Sequence, residues 1–364
     1  MVLPLPAIVS VSEAAEFGRT VWPFVPQLLS LPQTLIEAGS DCESLKEVYL
    51  ATNPLVTSVA FTLALVPILV IVSELTRNYS QVDRLWSILP SVYNVHYALW
   101  AHLAGLPTEK VKTVAIFSLI WTTRLTFNYW RKGGYKIGSE DYRWEIVRAR
   151  VPNRFVWFLF NVLFISLAQS LLLNLLTAPS YIFIVLSRLP EGSTFGIPDL
   201  VFSRVLIFFV IIEFFADQQQ WKFQQAKQSY QKTARVPDEY KSQFTAEDLD
   251  RGFVVSGLWS LCRHPNFAAE QAIWLTLYLW DCYCTQTYVN WTGAGALSYL
   301  LLFQGSTNLT EEISAGKYPE YKDYQARVGR FIPRLSVEPK GASKRAAKSK
   351  SKRSEPDNEN RKSK

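Results

Sequence analysis

The sequence contains little charge, and its charge is unevenly distributed. Only 19% of the 364 residues are Asp, Glu, Lys or Arg, whereas about a quarter are charged in ordinary soluble proteins. Phe155–Ser187 and Cys282–Thr310 contain none at all. A soluble α/β enzyme is not expected to carry such runs, and a disordered chain would lack the 14% aromatic content. The sequence therefore predicts a polytopic membrane protein.

Residues that form disulfides or bind metals are also few. The four cysteines are too scattered for a disulfide framework or a zinc site, and the three histidines lack the spacing of a metal-binding helix. We therefore predict no metal site. The first eighteen residues have no Lys or Arg ahead of their apolar stretch, so we expect no cleavable signal peptide.

Apolar segments that approach the length of a bilayer recur along the chain. A spanning helix needs about 20 predominantly apolar residues. Six segments approach this length: Pro54–Ser73, Trp86–Gly105, Thr113–Trp130, Phe155–Leu176, Ile197–Ala216 and Tyr288–Phe303. Two shorter stretches, Phe253–Cys262 and Phe267–Trp280, are separated by four polar or helix-breaking residues. The pattern predicts an all-α membrane bundle of about seven transmembrane helices.

Loop charge predicts the orientation of the bundle. The loop 131–154 carries seven Lys or Arg against three acidic residues, which favours the cytosolic side. We therefore predict that the chain divides into three regions: residues 1–53 outside the cytosol, the membrane domain 54–335, and a basic tail 336–364. The tail has no aromatic or large apolar residue, so we expect it to be disordered and cytosolic, facing solvent or membrane rather than nucleic acid. Its last four residues loosely match a dibasic retrieval signal, which suggests the endoplasmic reticulum.

The strongest concentration of polar groups separates the two short stretches. Pro265 ends one helix and the next begins near Asn266, so free backbone N–H groups there would form an anion site. Arg263 adds a guanidinium suited to phosphate, and Glu270 lies one turn beyond Asn266 on the same face. The pattern predicts a pocket for a phosphate-bearing cofactor. An interfacial turn with a snorkelling arginine is the alternative.

Three further concentrations could form a site or serve structure alone. They are Asp217–Phe223; Glu311 and Glu312 followed by Lys317–Tyr321, Tyr324, Arg327, Phe331 and Pro333; and Asp83–Pro90 with Tyr93, His96, Trp121, Arg124, Asn128, Arg131, Glu140, Asp141 and Arg143. The structural alternatives are a solvated helix end, an amphipathic interfacial helix and an ion-pair network, respectively.

These motifs resemble those of the steroid 5-alpha-reductase superfamily of membrane reductases. Gly257-Leu258-Trp259 through Arg263-His264-Pro265-Asn266-Phe267 to Glu270 is similar to its C-terminal signature, and Lys317-Tyr318-Pro319-Glu320-Tyr321 to Pro333 to its closing motif. Asp83-Arg84-Leu85-Trp86-Ser87, Trp121-x-x-Arg124-Leu125, Glu140-Asp141-x-Arg143 and Asp217-x-Gln219 resemble a branch catalogued as a domain of unknown function. The resemblance covers about residues 75–335.

The resemblance implies a seven-helix fold that binds NADPH on the cytosolic side. Arg263, His264 and Asn266 would contact the cofactor, Asp217, Tyr321 and Arg327 would lie near its adenosine or phosphates, and Glu270 would brace the site. The implied reaction delivers hydride to the β-carbon of an enone while an acidic side chain polarises the carbonyl. From its position, Tyr93 is predicted to be that acidic side chain. Ala268-Ala269 departs from the superfamily, where a glycine is common before the glutamate.

Three functions are compatible with these features. The first is an NADPH-dependent reductase of a steroid, sterol or other lipid-soluble enone. The second is a membrane methyltransferase of the isoprenylcysteine carboxyl methyltransferase type, which shares an Arg-His-Pro core but uses S-adenosylmethionine. The third is a non-catalytic lipid-binding scaffold. Asn266 and Glu270, with Asp217 upstream, favour the reductase.

Overall fold

The computed structural model describes residues 3–333, a bundle of helices joined by loops. The bundle helices are α1 (Pro54–Thr76), α2 (Leu89–Leu103), α3 (Glu109–Arg131), α4 (Arg154–Phe160, continuing through the π-helical Asn161–Ala168 into Gln169–Leu175), α5 (Ala178–Leu186), α6 (Ile197–Thr233), α7 (Pro265–Thr285) and α8 (Gly293–Lys317). The described residues contain no β-strand, so the predicted all-α class is confirmed. The tail predicted at 336–364 lies outside the described residues.

Shorter helices connect these elements. They are the α-helices Phe17–Thr20, Val25–Ala38, Cys42–Ala51, Gln81–Trp86, Tyr142–Arg150, Pro190–Ser193, Ala246–Arg251 and Tyr321–Arg327, and the 3₁₀ turns Ser12–Ala15, Trp22–Phe24, Asp238–Tyr240 and Gly257–Ser260.

Three helical segments are long and apolar enough to cross a membrane: Pro54–Thr76, Arg154–Leu186 and Pro190–Thr233. Large apolar side chains on these helices, including Ile68 on α1 and Phe208 on α6, are exposed on the outside of the bundle. So much exposed apolar surface is unusual in a soluble monomer and suits contact with lipid. These helices support a membrane protein, whereas the predicted number of spans and the orientation stay predictions.

The apolar stretch Phe253–Cys262 does not form a helix of membrane length. Residues 253–256 are extended or bent, and only Gly257–Ser260 forms a short 3₁₀ turn. Gly257 has a φ of +64°, a conformation that L side chains rarely adopt. By contrast, α7 begins at Pro265 as expected, because proline suits the first turn of a helix.

The N-terminal segment packs against one end of the bundle. The Tyr181 hydroxyl donates to the Thr20 carbonyl (2.6 Å) and accepts from the Asn53 amide (3.0 Å). The Trp100 indole donates to the Tyr49 carbonyl (3.1 Å). Since α1 begins and α2 ends here, this segment covers one end of the bundle. The C-terminal end of α3 and the beginning of α7 lie at the other end, where most of the predicted site residues are found.

Replacing Gly257 with alanine is expected to destabilise the fold. A Cβ at Gly257 would lie 2.7 Å from the side-chain amide of Gln219, and φ would remain positive. Left-handed backbone at a non-glycine residue costs about 1–2 kcal/mol, and the crowding adds to this. Thermal unfolding in detergent should show a lower melting temperature for Gly257→Ala. Gly305→Ala is the control. A Cβ at Gly305, inside α8, would meet no atom within 4 Å, so this replacement should leave the melting temperature unchanged or raise it. Equal melting temperatures for Gly257→Ala and the parent chain would contradict this account.

Candidate functional site

Arg124, near the middle of α3, lies between three carboxylates from α6 and α7. Its Nη1 is 3.2 Å from Glu213 Oε1 and 3.1 Å from Asp217 Oδ2, and its Nη2 is 3.4 Å from Glu270 Oε2. All four side chains are buried. We call Arg124, Glu213, Asp217 and Glu270 the acidic cluster, because one guanidinium faces three carboxyl groups.

Aromatic donors surround Glu270. Its Oε2 accepts a hydrogen bond from the Trp121 indole (2.9 Å), and its Oε1 accepts from the Trp274 indole (2.8 Å) and the Tyr299 hydroxyl (2.8 Å). The Trp86 indole in turn donates to the Tyr299 hydroxyl (3.2 Å). Three donors fix both oxygens of Glu270 and hold α3, α7 and α8 together.

Two amides hold Asp217 at the other side of the acidic cluster. The Asn128 amide donates to Asp217 Oδ2 (2.5 Å), and the Asn266 amide donates to Oδ1 (3.2 Å). If all three carboxyl groups were ionised, the cluster would carry a formal charge of −2. Burying uncompensated charge is costly, so the cluster has the chemistry to hold a proton or to accept hydrogen bonds from a polar ligand.

Several polar atoms of this region lack partners. Arg124 Nε, Asn128 Oδ1 and Asn266 Oδ1 are buried without a hydrogen-bond partner among the described residues. Buried polar atoms are almost always satisfied in native structures. The hydrogen-bonding capacity of these three atoms on α3 and α7 is unmet, and a polar ligand or water bound between the helices would satisfy it.

A second polar group, the C-terminal clasp, is formed by Arg263, His264, Glu311 and Gln325. Arg263 donates to both oxygens of Glu311 (2.7 and 3.1 Å), to the Gln325 carbonyl (3.1 Å) and to the Val328 carbonyl. His264 Nε2 lies 2.9 Å from Glu311 Oε1, and the Gln325 amide donates to Oε2 (3.0 Å). The clasp thereby fastens residues 325–328 to α8 and to the turn before α7.

The clasp determines the ionisation of Glu311. Burial by itself would raise the pKa of this carboxyl, but hydrogen bonds from His264, Arg263 and Gln325 outweigh burial and hold the pKa well below its usual value. Glu311 is therefore ionised near neutral pH. Both ends of the Arg263 guanidinium are engaged within the protein, so a phosphate could reach it only by sharing or displacing these contacts.

The structure brings some predicted site residues together and places others apart. Asp217, Asn266 and Glu270 meet in the acidic cluster, and Arg263 and His264 immediately precede α7 in the clasp. Tyr321 is buried against Phe253, with ring centroids 5.0 Å apart. Arg327 lies at the surface, where its Nε donates to the Asp323 carbonyl (3.3 Å).

Tyr93 lies in a different polar group. It is buried, and its hydroxyl is 2.8 Å from the Thr62 hydroxyl, which also accepts from the Asn174 amide (3.1 Å). Within residues 3–333, no hydrogen bond joins Tyr93 to the acidic cluster. Its catalytic role stays a prediction.

Motifs that are distant in sequence contact one another. Asp83 accepts from the Trp144 indole (2.8 Å), the Tyr79 N–H donates to Glu140 (2.8 Å), and Arg84 donates to the Ser139 carbonyl (2.7 Å). These contacts are those of a structural network that joins the start of the helix Gln81–Trp86 to the loop after α3. They favour the structural interpretation of this pair of motifs.

Glu213 of the acidic cluster and the Glu270 donors Tyr299 and Trp274 are not among the residues predicted from the sequence. Glu213 lies one turn before Asp217 within an apolar helix, where a carboxyl group is costly and usually functional. That signal could have identified it. Tyr299 lies in a run without charge and carries no comparable signal; only the packing of α8 against α7 places it on Glu270.

Most of the chain is similar to known sequences. The family described as "Protein of unknown function (DUF1295)" matches residues 69–328. The "Uncharacterized protein C594.04c" of the fission yeast Schizosaccharomyces pombe is 39% identical over 331 residues, which cover 91% of this chain and 93% of that protein. No solved structure matches the chain.

Proposed function

The chain belongs to the DUF1295 family of proteins of unknown function, and we propose that it is an integral membrane NADPH-dependent oxidoreductase of an enone-type lipid. The observation that carries this proposal is the convergence of three separate motifs. Trp121 and Arg124 of one motif contact Glu270 of another, and Asp217 of a third accepts from Asn266. These residues, with the buried polar atoms beside them that lack a hydrogen-bond partner among the described residues, form a polar site inside an apolar bundle. A lipid reductase requires such a site.

The residues of the acidic cluster fit part of NADPH. Carboxylate and amide oxygens on Glu213, Asp217 and Asn266 are acceptors for ribose hydroxyls and the nicotinamide carboxamide. The formal excess of negative charge would repel phosphate. The diphosphate would instead lie towards the N-terminus of α7 and the surface guanidinium of Arg327. When bound, NADPH would supply the hydride that adds to the β-carbon of the substrate.

Two phenols are candidates for polarising the substrate carbonyl. Tyr93 follows from the sequence, whereas Tyr299 donates directly to Glu270 (2.8 Å). A neutral phenol stabilises the enolate oxygen by donating a hydrogen bond as its charge develops, and solvent then protonates the α-carbon. In this proposal, Tyr299 turns its single O–H from Glu270 to the substrate carbonyl, while the Trp121 and Trp274 indoles and Arg124 keep Glu270 partnered.

The location we propose is the endoplasmic-reticulum membrane, with about seven spans and the site on the cytosolic face. Asp217 is the twenty-first residue of α6, so it lies about 30 Å from the start of the helix, close to one hydrocarbon thickness. The acidic cluster would then lie near the face that carries the basic loop after α3.

The reaction can be tested without knowing the substrate. Purified protein is incubated with a membrane lipid extract and NADPH deuterated at the transferable position of the nicotinamide, and lipids are analysed by mass spectrometry. We expect one lipid class to gain one deuterium and one hydrogen. The rate of deuterium transfer is compared for Tyr299→Phe and Tyr93→Phe, after both variants are shown to keep the melting temperature of the parent chain. The variant whose rate falls at least tenfold identifies the phenol that polarises the carbonyl. Folded protein that transfers no deuterium, or that instead transfers a labelled methyl group from S-adenosylmethionine, would refute the reductase.

A further inference from the structure

A basic cavity lies apart from the acidic cluster, where α1 ends and α4 begins. Its volume is about 420 Å³, and its lining includes Glu74, Arg77, Tyr79, Arg148, Arg154 and Trp157. We call it the basic cavity, because three guanidinium groups line it against the single carboxyl group of Glu74. None of these residues belongs to the acidic cluster or the clasp.

The three arginines are only partly neutralised. Arg77 pairs with Glu74 (3.1 Å) and Arg148 with Glu140 (2.9 Å), and both pairs are at least partly open to solvent. Arg154 is exposed and makes no ion pair or side-chain hydrogen bond within the described part of the chain. Exposed ion pairs contribute little stability, so Arg77, whose side chain is 74% exposed, can turn towards an added anion at small cost. Arg148 lines the cavity from its place against the Tyr79 and Trp157 rings. The cavity therefore attracts negative charge.

Trp157 supplies an independent sign of a missing acceptor. Its side chain lines the cavity and only 5% of the residue is exposed. Its indole N–H has no hydrogen-bond partner among residues 3–333. The ring is held in place by an edge-on contact with Tyr79 (5.0 Å between centroids) and by the Arg148 guanidinium (5.9 Å from the ring). An indole N–H that is buried and fixed in this way calls for an acceptor oxygen.

The surroundings of the cavity select a lipid over a soluble anion. The cavity lies at the ends of two of the helices that are long and apolar enough to cross a membrane. Directly next to it along these helices, Leu75 is 80% exposed and Phe155 is 68% exposed. These side chains would contact acyl chains when a phosphate occupies the cavity. Basic side chains beside an apolar surface at the membrane boundary are the features that bind anionic headgroups.

We propose that the basic cavity binds the phosphate of an anionic phospholipid. The guanidinium groups of Arg77, Arg148 and Arg154 would contact the phosphate oxygens. The Trp157 N–H is closed to solvent in this structure, and it would reach one of these oxygens after a local shift of the side chains around the ring. The acyl chains would lie along α1 and α4. This inference does not rest on the proposed reductase activity, since it involves none of the residues of the acidic cluster.

Lipid binding by the full chain tests the proposal. Protein purified in a neutral detergent is titrated with phosphatidylglycerol, with phosphatidylcholine of the same acyl chains and with inorganic phosphate, and bound lipid is counted by native mass spectrometry. We expect phosphatidylglycerol to bind at least tenfold more tightly than phosphatidylcholine. Arg77→Gln with Arg154→Gln should remove this difference, and Trp157→Phe, which keeps the ring but loses the donor, should weaken phosphatidylglycerol binding severalfold.

Arg150→Gln is the matched control. Arg150 is an exposed arginine that ends the helix Tyr142–Arg150, two residues after Arg148; it pairs with Glu312 and does not line the cavity. Its replacement should leave lipid selectivity unchanged, and each variant should retain the parent melting temperature within a few degrees. Equal binding of the two lipids, or a double arginine variant that behaves like Arg150→Gln, would overturn the proposal. Inorganic phosphate that binds as tightly as phosphatidylglycerol would overturn the assignment to a lipid.

Discussion

Replacing Arg124 with leucine is expected to unfold the bundle, or to lower its melting temperature more than Gly257→Ala does. Arg124 is the only cation within 4 Å of the carboxylates of Glu213, Asp217 and Glu270 among the described residues. Removing one partner of a buried ion pair costs about 3–5 kcal/mol, and here three carboxyl groups lose the same partner. Thermal unfolding in detergent, with recovery of monodisperse protein as a second readout, measures the effect.

Two further variants show whether the charge of Arg124 is responsible. Arg204→Leu, at an exposed arginine in α6, should change stability little. Glu213→Gln should be neutral or stabilising, since it reduces the formal negative excess of the acidic cluster, and it should lessen the damage in the double variant with Arg124→Leu. If Arg124→Leu were as stable as Arg204→Leu, the acidic cluster would not be a stabilising element of the fold.

Replacing Glu311 with glutamine is expected to loosen the segment 321–333 from α8. The variant loses charge-assisted hydrogen bonds from Arg263 and His264, and such bonds contribute about 1.5–3 kcal/mol each. Hydrogen exchange should accelerate in the helix Tyr321–Arg327 and in residues 328–333, while the amides of α3 and α6 keep their protection. Glu312→Gln, at the exposed neighbour that pairs with Arg150, serves as the control.

The same contacts predict a pH dependence. The folded-state pKa of Glu311 lies below the value in the unfolded chain, about 4.3 for glutamate. The stabilisation by the clasp is therefore fully present above that value and is lost as pH falls through the lower, folded pKa. In the parent chain, the protection of residues 321–333 against hydrogen exchange should decline at acidic pH. In Glu311→Gln this decline should be absent. A pH profile that the substitution leaves unchanged would contradict the role of Glu311.

The elements of the bundle could be predicted from the sequence because their apolar lengths and proline positions are local properties. Pro54 and Pro265 begin α1 and α7, and the run from Phe155 forms α4. The stretch Phe253–Cys262 is the exception. Its composition is apolar, yet Gly257 has a left-handed φ of +64°, and the next N–H, that of Leu258, donates to the Gln219 side chain, 39 residues earlier in the sequence (2.9 Å). A contact between distant residues cannot be read from local composition.

In the candidate site, too, local sequence properties identify some residues but not their contacts with distant ones. Asp217, Asn266 and Glu270 could be found in the sequence because polar residues stand out in apolar segments. Their partners depend on how helices pack. Tyr299 reaches Glu270 only because α8 lies against α7, and Arg263 is engaged by Glu311, which follows it by 48 residues. The sequence indicated a phosphate-binding arginine, whereas the structure places that guanidinium in the clasp.

Cofactor binding distinguishes a reductase from a methyltransferase and from a non-catalytic scaffold. The melting temperature of the full chain in detergent is measured with NADPH, NADH and S-adenosylmethionine, for the parent chain and for Asn266→Ala. A ligand at a hundred times its dissociation constant stabilises the folded state by about 2.7 kcal/mol. We therefore expect NADPH to raise the melting temperature clearly, and to raise it less in Asn266→Ala. A folded protein that is stabilised by S-adenosylmethionine alone, or by none of the three, would contradict the proposed reductase.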